Sequence, residues 1–120
     1  MKFTLAEVRG MQKGLLTLTQ AQLPIRVSYK LIKLLNFCGK ELGVVEETRI
    51  KLVKKYSEEN PDKPGEFQVK PENDEKFREE LTQLMEEEVE FEMEPISLNE
   101  LDGIKISPID LAGLSKIIKE

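Results

Sequence analysis

The chain contains no histidine, no tryptophan and a single cysteine, and it has only two tyrosines among its 120 residues. Without histidine it cannot build a Ser-His or Cys-His nucleophile pair, an imidazole general base or a histidine metal site. A single cysteine, Cys38, excludes an intrachain disulfide and is typical of a protein in a reducing cytoplasm. Carboxylate, lysine or tyrosine chemistry is the only catalysis left open, and no cofactor is predicted.

Long apolar runs are also missing. No stretch approaches the roughly 18 apolar residues of a membrane span, and Glu7 and Arg9 interrupt the start too early for a signal peptide. Charged residues make up 34% of the chain and hydrophobic residues 39%, against averages of about 25% and about 45–50%. We therefore expect one small cytoplasmic domain with long solvated helical faces and no membrane partner.

The charge that is present is divided between the two halves. Residues 1–56 carry 11 Lys+Arg and 4 Asp+Glu, whereas residues 57–120 carry 7 Lys+Arg and 19 Asp+Glu. Such a division decides where each half meets a partner, or how the halves meet each other. We divide the single domain, 1–120, into a basic helical hairpin (1–59), a Pro- and Gly-containing loop (60–65) and an acidic α/β part (66–120).

Two helices are predicted in the basic half. The capping box formed by Thr4 and Glu7 begins a helix over about 4–21, and Pro24 begins a second helix over about 24–58. Apolar residues at helical spacing make one stripe on the second helix: Val27, Leu31, Leu34, Cys38, Leu42, Val45 and Leu52. Four further residues are expected to widen this stripe at its N-terminal end: Ile25, Tyr29, Ile32 and Leu35.

The acidic half mixes helices with short strands. The alternation at 66–70 and at 89–93 predicts two strands that pair across a third helix of about 74–87. Ser97 begins a single turn, and Ser107 followed by Pro108 begins a final helix of about 108–119. The predicted fold class is α+β, mainly α: a helical hairpin with a long second helix, a third helix flanked by a two-stranded antiparallel ribbon, and a C-terminal helix.

Two charged sets are candidate contact surfaces. Arg26, Lys30 and Lys33 follow helical spacing, which suits either phosphate binding or a solvated face that pairs with the acidic half. Nucleic acid is not the favoured partner, because the net charge is −5 and no nucleic-acid motif is present. Alternate carboxylates on the second strand could bind a hard cation weakly, imitate a phosphate ladder or solubilise an outer face: Glu88, Glu90, Glu92 and Glu94.

The second helix is long for a chain of this size. About 35 residues at about 1.5 Å each span roughly 50 Å, whereas a compact domain of this length has a radius of gyration of about 14 Å. One end must then project, or a second copy must cover Val45, Leu52 and Val53. We expect a dimer. The competing expectation is a monomer whose helix breaks near Gly39 and Gly43 and folds back.

Three segments carry a resemblance to known sequences: 23–34 (LPIRVSYKLIKL), 46–56 (EETRIKLVKKY) and 104–111 (IKISPIDL). The chain resembles an uncharacterised family of small proteins encoded by phages and prophages of Gram-positive bacteria. The resemblance covers nearly the full chain. It implies a phage origin and a host-cytoplasm setting, and it implies no catalytic or binding residues.

The leading functional hypothesis is a non-catalytic, phage-encoded protein that binds a protein partner or self-assembles. The first alternative is an inhibitor of host defence that acts as an acidic DNA mimic or sequesters a nucleotide. The second alternative is a small enzyme that uses carboxylates. Salt-sensitive binding to a DNA-binding protein would favour mimicry, and a deep pocket lined by Arg or Lys would favour nucleotide binding.

Overall fold

The computed structural model describes residues 1–59 and 67–120. Its four α-helices are α1 (Leu5–Thr19), α2 (Ile25–Tyr56), α3 (Asp74–Met85) and α4 (Pro108–Gly113). The described strands are β1 (Lys2–Thr4), β2 (Ser57–Glu59), β3 (Phe67–Val69), β4 (Glu88–Glu90), β5 (Ile96–Ser97) and β6 (Ile118–Lys119). The fold class is the predicted one, α+β and mainly α with a long second helix, and the predicted loop at 60–65 lies outside the described residues.

Helix α1 begins as its capping box predicts. Glu7 N donates to Thr4 Oγ1 at 3.1 Å, and Thr4 N donates to Glu7 Oε1 at 2.9 Å. These two bonds satisfy amide groups that have no partner within the helix. The buried residues of α1 recur every three or four positions and face α2 and the C-terminal segment: Leu5, Val8, Met11, Leu15 and Leu18.

Helices α1 and α4 pack very closely because glycines line their contact. A β-carbon at Gly14 would lie 2.8 Å from the carbonyl oxygen of Asp110, and one at Gly113 would strike the carbonyl oxygen of Gly10. Helix α4 therefore approaches the backbone of α1 at Gly10 and Gly14 directly. Any larger side chain at Gly14 or Gly113 must push the two helices apart.

Helix α2 is continuous from Ile25 to Tyr56, so the expected break near Gly39 and Gly43 is wrong. The molecule measures 55 × 26 × 23 Å, and its radius of gyration is 18.0 Å, compared with about 14 Å for a compact chain of this length. The predicted stripe of α2 does face the core, with five fully buried members: Val27, Leu31, Leu34, Cys38 and Val45.

The strands described in 1–59 and 67–120 form three separate two-stranded ribbons, and their pairing differs from the expected one. Strand β4 pairs antiparallel with β1 at the N-terminus, and β3 pairs antiparallel with β2 at the end of α2. The C-terminal β6 pairs parallel with β5. The predicted ribbon between 66–70 and 89–93 is therefore wrong, because β3 and β4 pair with β2 and β1, which are too short to show alternation in sequence.

Helix α3 covers the distal half of α2. It begins beside the end of α2, where Asn73 Nδ2 donates to the Tyr56 carbonyl oxygen at 3.3 Å and Lys55 Nζ lies 3.3 Å from Glu80 Oε1. It then returns towards the N-terminus, where Leu5 N donates to the Glu87 carbonyl oxygen at 2.9 Å. The acidic half thus packs along the basic half, and the exposed ion pair of Lys55 and Glu80 joins α2 to α3.

The C-terminal segment is less helical than predicted. Helix α4 ends at Gly113, and Ser115–Ile117 forms a 3-10 turn before β6, so the expected helix of about 108–119 is wrong beyond its first half. The chain turns because Leu114 and Ile117 are buried in the core while Ile118 pairs with Ile96. The start is as predicted, since Asp110 N donates to Ser107 Oγ at 3.2 Å.

Candidate interaction surface

The outer face of α2, opposite the core, carries large apolar side chains in solvent. Ile25 is 84% exposed, Tyr29 63% and Ile32 53%. These three were expected to widen the buried stripe, and the structure shows that this expectation is wrong. Helix α1 and the segment after β4 cover one side of α2 only, so its N-terminal third has apolar residues on both faces.

A cleft lies beside this outer face, between α2 and the segment that follows β4. Its volume is about 220 Å³, and Tyr29, Lys30, Lys33 and residues 91–94 line it. The rings of Phe37 and Phe91 pack at a centroid distance of 4.7 Å and hold the segment on the helix. Lys33 Nζ lies 5.3 Å from the Tyr29 ring centroid, which is within the range of a cation–π contact.

The cleft brings together parts of both charged sets. Lys30 and Lys33 line it from α2, and Glu92 and Glu94 line it from the following segment. Arg26 lies on the same side of α2, exposed and one turn before Lys30. The basic and acidic candidates therefore form a surface of mixed charge, as expected if the two halves of the chain meet each other.

The acidic row keeps its predicted alternation, although regular strand structure ends at Glu90. Glu88, Glu90, Glu92 and Glu94 are all exposed, and the apolar residues between them are half-buried. The N-terminal amine lies 3.9 Å from Glu92 Oε1, and Lys2 is the cross-strand partner of Glu90. The row is thus a solvated face with cations at its edge.

The apolar residues that we expected to form a dimer surface are not open. Val45 is only 1% exposed, and Leu52 and Val53 are half-buried. Helix α3 already lies along this part of α2, so the same chain provides the cover that we had assigned to a second copy. A partner that binds α2 through apolar contacts must therefore use the opposite face of this helix.

That opposite face continues past Ile32 as a smooth strip. Asn36, Gly39 and Gly43 are exposed, and a β-carbon at either glycine would have no other atom within 4 Å. Further along, the Arg49 guanidinium donates to Glu46 Oε1 and Oε2 at 2.6 and 3.0 Å. These bonds lower the pKa of Glu46 from its ordinary value and keep the carboxylate charged.

A second apolar depression lies at the C-terminal end of the chain. Its volume is about 420 Å³, and its apolar lining includes Leu98, Pro108, Leu111 and Ile118. Ile109, beside it on α4, is 85% exposed. This depression faces solvent separately from the outer face of α2, and nothing in the described structure identifies what it would bind.

Cys38 is buried in the core and offers no reactive thiol to solvent. Burial raises its pKa to about 11, because the thiolate would lose its hydration there.

Within residues 1–59 and 67–120, no group of three or more His, Cys, Asp or Glu side chains is placed to hold a metal ion. No helix among the described residues has both the length and the apolar character of a membrane span.

Comparisons with known proteins add no relative. A scan against protein-family models finds none that matches the chain, and searches of curated proteins and of solved structures find no significant match. The resemblance to phage proteins therefore stays a prediction.

The outer-face residues of α2 were not identified from the sequence as a contact surface, because they were assigned to the core. The signal that could have identified them was a second apolar stripe on the opposite side of the same helix.

Proposed function

We propose that this protein is non-catalytic and acts by binding protein, its first partner being a second copy of itself. The observation that carries the proposal is the exposed apolar face of α2, on which Ile25, Tyr29 and Ile32 are each more than half exposed. Burying an isoleucine or tyrosine side chain is worth about 1.5–3 kcal/mol relative to leaving it in water. A helix that is apolar on both faces gains this free energy only when a partner covers the second face.

The chemistry of the chain supports a binding role over a catalytic one. There is no histidine, and the single thiol is buried with a raised pKa. The four exposed glutamates of the acidic row alternate with half-buried apolar residues along one extended segment. A carboxylate enzyme needs two such groups facing one another across a bound substrate.

The surroundings of the acidic row fit a solvated face better than they fit a surface that imitates DNA. Its four glutamates are exposed, as a mimic requires, but Lys30 and Lys33 lie in the same cleft as Glu92 and Glu94. Nearby cations weaken the negative potential that a DNA-binding protein would recognise. The same mixture of charges suits contact with a surface that also carries both signs.

Light scattering over a range of protein concentrations tests the proposal. We expect a mass near 13.8 kDa in dilute solution that rises towards twice this value as the concentration passes through the micromolar range. A mass that stays at the monomer value up to the highest soluble concentration would contradict self-association. The resemblance to phage proteins adds the proposal that this association takes place in the cytoplasm of an infected bacterium.

A further inference from the structure

The exposed face of α2 has the residue spacing of a helix–helix seam. Eight exposed positions follow one another in alternating steps of four and three residues, and we call them the α2 seam: Ile25, Tyr29, Ile32, Asn36, Gly39, Gly43, Glu46 and Ile50. Each pair of steps covers seven residues, which is the repeat of the positions that meet a partner helix in a coiled coil. The inner stripe of α2 is already occupied by the rest of the chain, whereas the seam is open.

We infer that the α2 seam binds the same seam of a second copy in antiparallel orientation, about a two-fold axis that passes between Phe37 and Cys38. This inference rests on the proposed function and adds the surface and the geometry of the contact. Seam spacing alone would suit any amphipathic helix. A second copy is favoured because the seam is complementary to itself in this one register.

Side-chain size is the first part of this complementarity. An antiparallel pair about this axis matches each seam position with another seam position: Ile25 with Ile50, Tyr29 with Glu46, Ile32 with Gly43 and Asn36 with Gly39. Isoleucine meets isoleucine at both ends, and the large Ile32 meets a residue that has no side chain. A β-carbon at either glycine would meet open space in the monomer, so close approach of a second helix gives these glycines a role that the monomer does not.

Charge is the second part. On the flank of the seam, Arg26 lies opposite Glu47 of the second copy, and the Tyr29 hydroxyl can donate to the carboxylate of Glu46. Lys33 lies opposite Lys40 of the second copy, but the cleft places Glu92 and Glu94 beside Lys33. The incoming Lys40 therefore meets carboxylates at that point, and the candidate basic and acidic residues take part in the same contact.

The parallel alternative is less favourable. A parallel pair in register would set Glu46 against Glu46 and Tyr29 against Tyr29, and it would leave the glycines facing each other across an empty gap. Like charges at facing positions oppose association, and an empty gap loses dispersion contacts. The antiparallel pair avoids both problems.

The seam is only one helix wide, so the contact is small. We expect it to bury area near the lower end of specific interfaces, about 1,200 Å² in total, which corresponds to a weak and reversible dimer. A dissociation constant on the order of micromolar fits such an interface.

Disulfide cross-linking tests the register directly. Positions 25 and 50 are about 37 Å apart along one helix at about 1.5 Å per residue, and a disulfide needs α-carbons within about 7 Å. A mixture of the Ile25→Cys and Ile50→Cys variants should therefore form a disulfide between the two variants on mild oxidation, while neither variant alone should cross-link. The unsubstituted protein, which has only the buried Cys38, is the matched control.

A glycine substitution tests the match of side-chain sizes, because it should stabilise the monomer and weaken the dimer. Gly43→Ala has room in the monomer and should raise its thermal stability, yet the added methyl group meets Ile32 of the second copy. We expect roughly tenfold weaker dimerisation. Gly10→Ala is the control, because a β-carbon at Gly10 also has open space in the monomer and lies on another helix; it should leave the dimer unchanged.

The outcomes separate this inference from the proposed function. Cross-linking of either variant with itself, or a dimer that fails to cross-link in the mixture, overturns the antiparallel seam and leaves self-association standing. Unchanged dimerisation of Gly43→Ala also overturns it. A protein that stays monomeric at every concentration overturns both.

Discussion

The same substitution at two glycines of α1, one turn apart, should change stability in opposite directions. At Gly10 a β-carbon would have no other atom within 4 Å. Replacing a helical glycine with alanine at such a position stabilises a protein by about 0.4–1 kcal/mol, mainly by restricting the unfolded chain. We therefore expect Gly10→Ala to raise the free energy of unfolding by about that amount.

At Gly14 the same β-carbon would lie 2.8 Å from the Asp110 carbonyl oxygen and 2.9 Å from Leu114 Cδ1. The first of these atoms belongs to the backbone of α4, so the clash cannot be relieved by rotating a side chain. Overpacking of this kind costs about 1–3 kcal/mol, and a clash with fixed backbone places Gly14→Ala in the upper part of this range. After subtraction of the alanine gain, about 1 kcal/mol at most, we expect Gly14→Ala to lower the free energy of unfolding by about 1–2 kcal/mol.

Urea denaturation followed by circular dichroism measures both values. The two variants must be compared at one low protein concentration, because self-association would add its own stabilisation. We expect the midpoints to move apart, with Gly10→Ala above the wild type and Gly14→Ala below it, and with similar slopes. A Gly14→Ala variant as stable as Gly10→Ala would refute the close α1–α4 contact.

Three further predictions concern the core, the thiol and the first helix. Leu31→Ala and Leu34→Ala should each lower the free energy of unfolding by about 2–5 kcal/mol, because both side chains are fully buried. Lys54 is on the surface, so Lys54→Ala should change it by less than about 0.5 kcal/mol. Equal effects of the three substitutions in denaturant melts would mean that the faces of α2 are misassigned. Cys38 should react with a thiol reagent only after denaturation, because it is buried and its pKa is raised to about 11; rapid labelling of the native protein would contradict this. Lys116 donates a hydrogen bond to Glu7 at 2.9 Å, and this bond lowers the pKa of Glu7. The negative charge of Glu7 therefore stabilises the fold fully above the ordinary pKa of a glutamate, about 4.3. This stabilisation is lost as the pH falls through the lower pKa of the folded state. Glu7→Gln, which preserves the capping geometry, should therefore be less stable than the wild type at neutral pH and equal to it in strong acid, and a difference that stays constant down to strong acid would exclude the charge as its cause.

Local chemistry in the sequence predicted the helix starts well. The capping residues Thr4 and Ser107 and the inner stripe of α2 act over a few residues, so they can be read without knowing the fold. The structure confirms each of them. The class of the fold followed from these signals.

Pairing between distant segments could not be predicted in the same way. Strand β1 has only three residues, and β6 only two, so neither shows a period. Which short strand pairs with which is decided by the packing of the helices between them. The length of the C-terminal helix was overestimated because it too depends on distant contacts. The burial of Ile117 and the pairing of Ile118 with Ile96 override the helical pattern of the sequence.

The candidate surface was predicted only in part. The charged residues of the cleft, among them Lys33 and Glu92, were identified from their spacing, but their proximity depends on the contact between Phe37 and Phe91. The apolar residues of the outer face were present in the pattern and were assigned to the wrong side. When one helix has two apolar stripes, its sequence alone does not show which of the two will be covered by the rest of the chain.

One pair of variants tests the central claim, that the outer face of α2 is where this protein binds its partner. Ile25 and Ile109 are exposed to nearly the same extent, 84% and 85%, but only Ile25 lies on the α2 seam. Sedimentation equilibrium at matched micromolar concentrations should give Ile25→Glu a mass near 13.8 kDa under conditions in which the wild type and Ile109→Glu approach twice that mass. Equal masses for the two variants, or a monomeric Ile109→Glu beside a dimeric Ile25→Glu, would contradict the account.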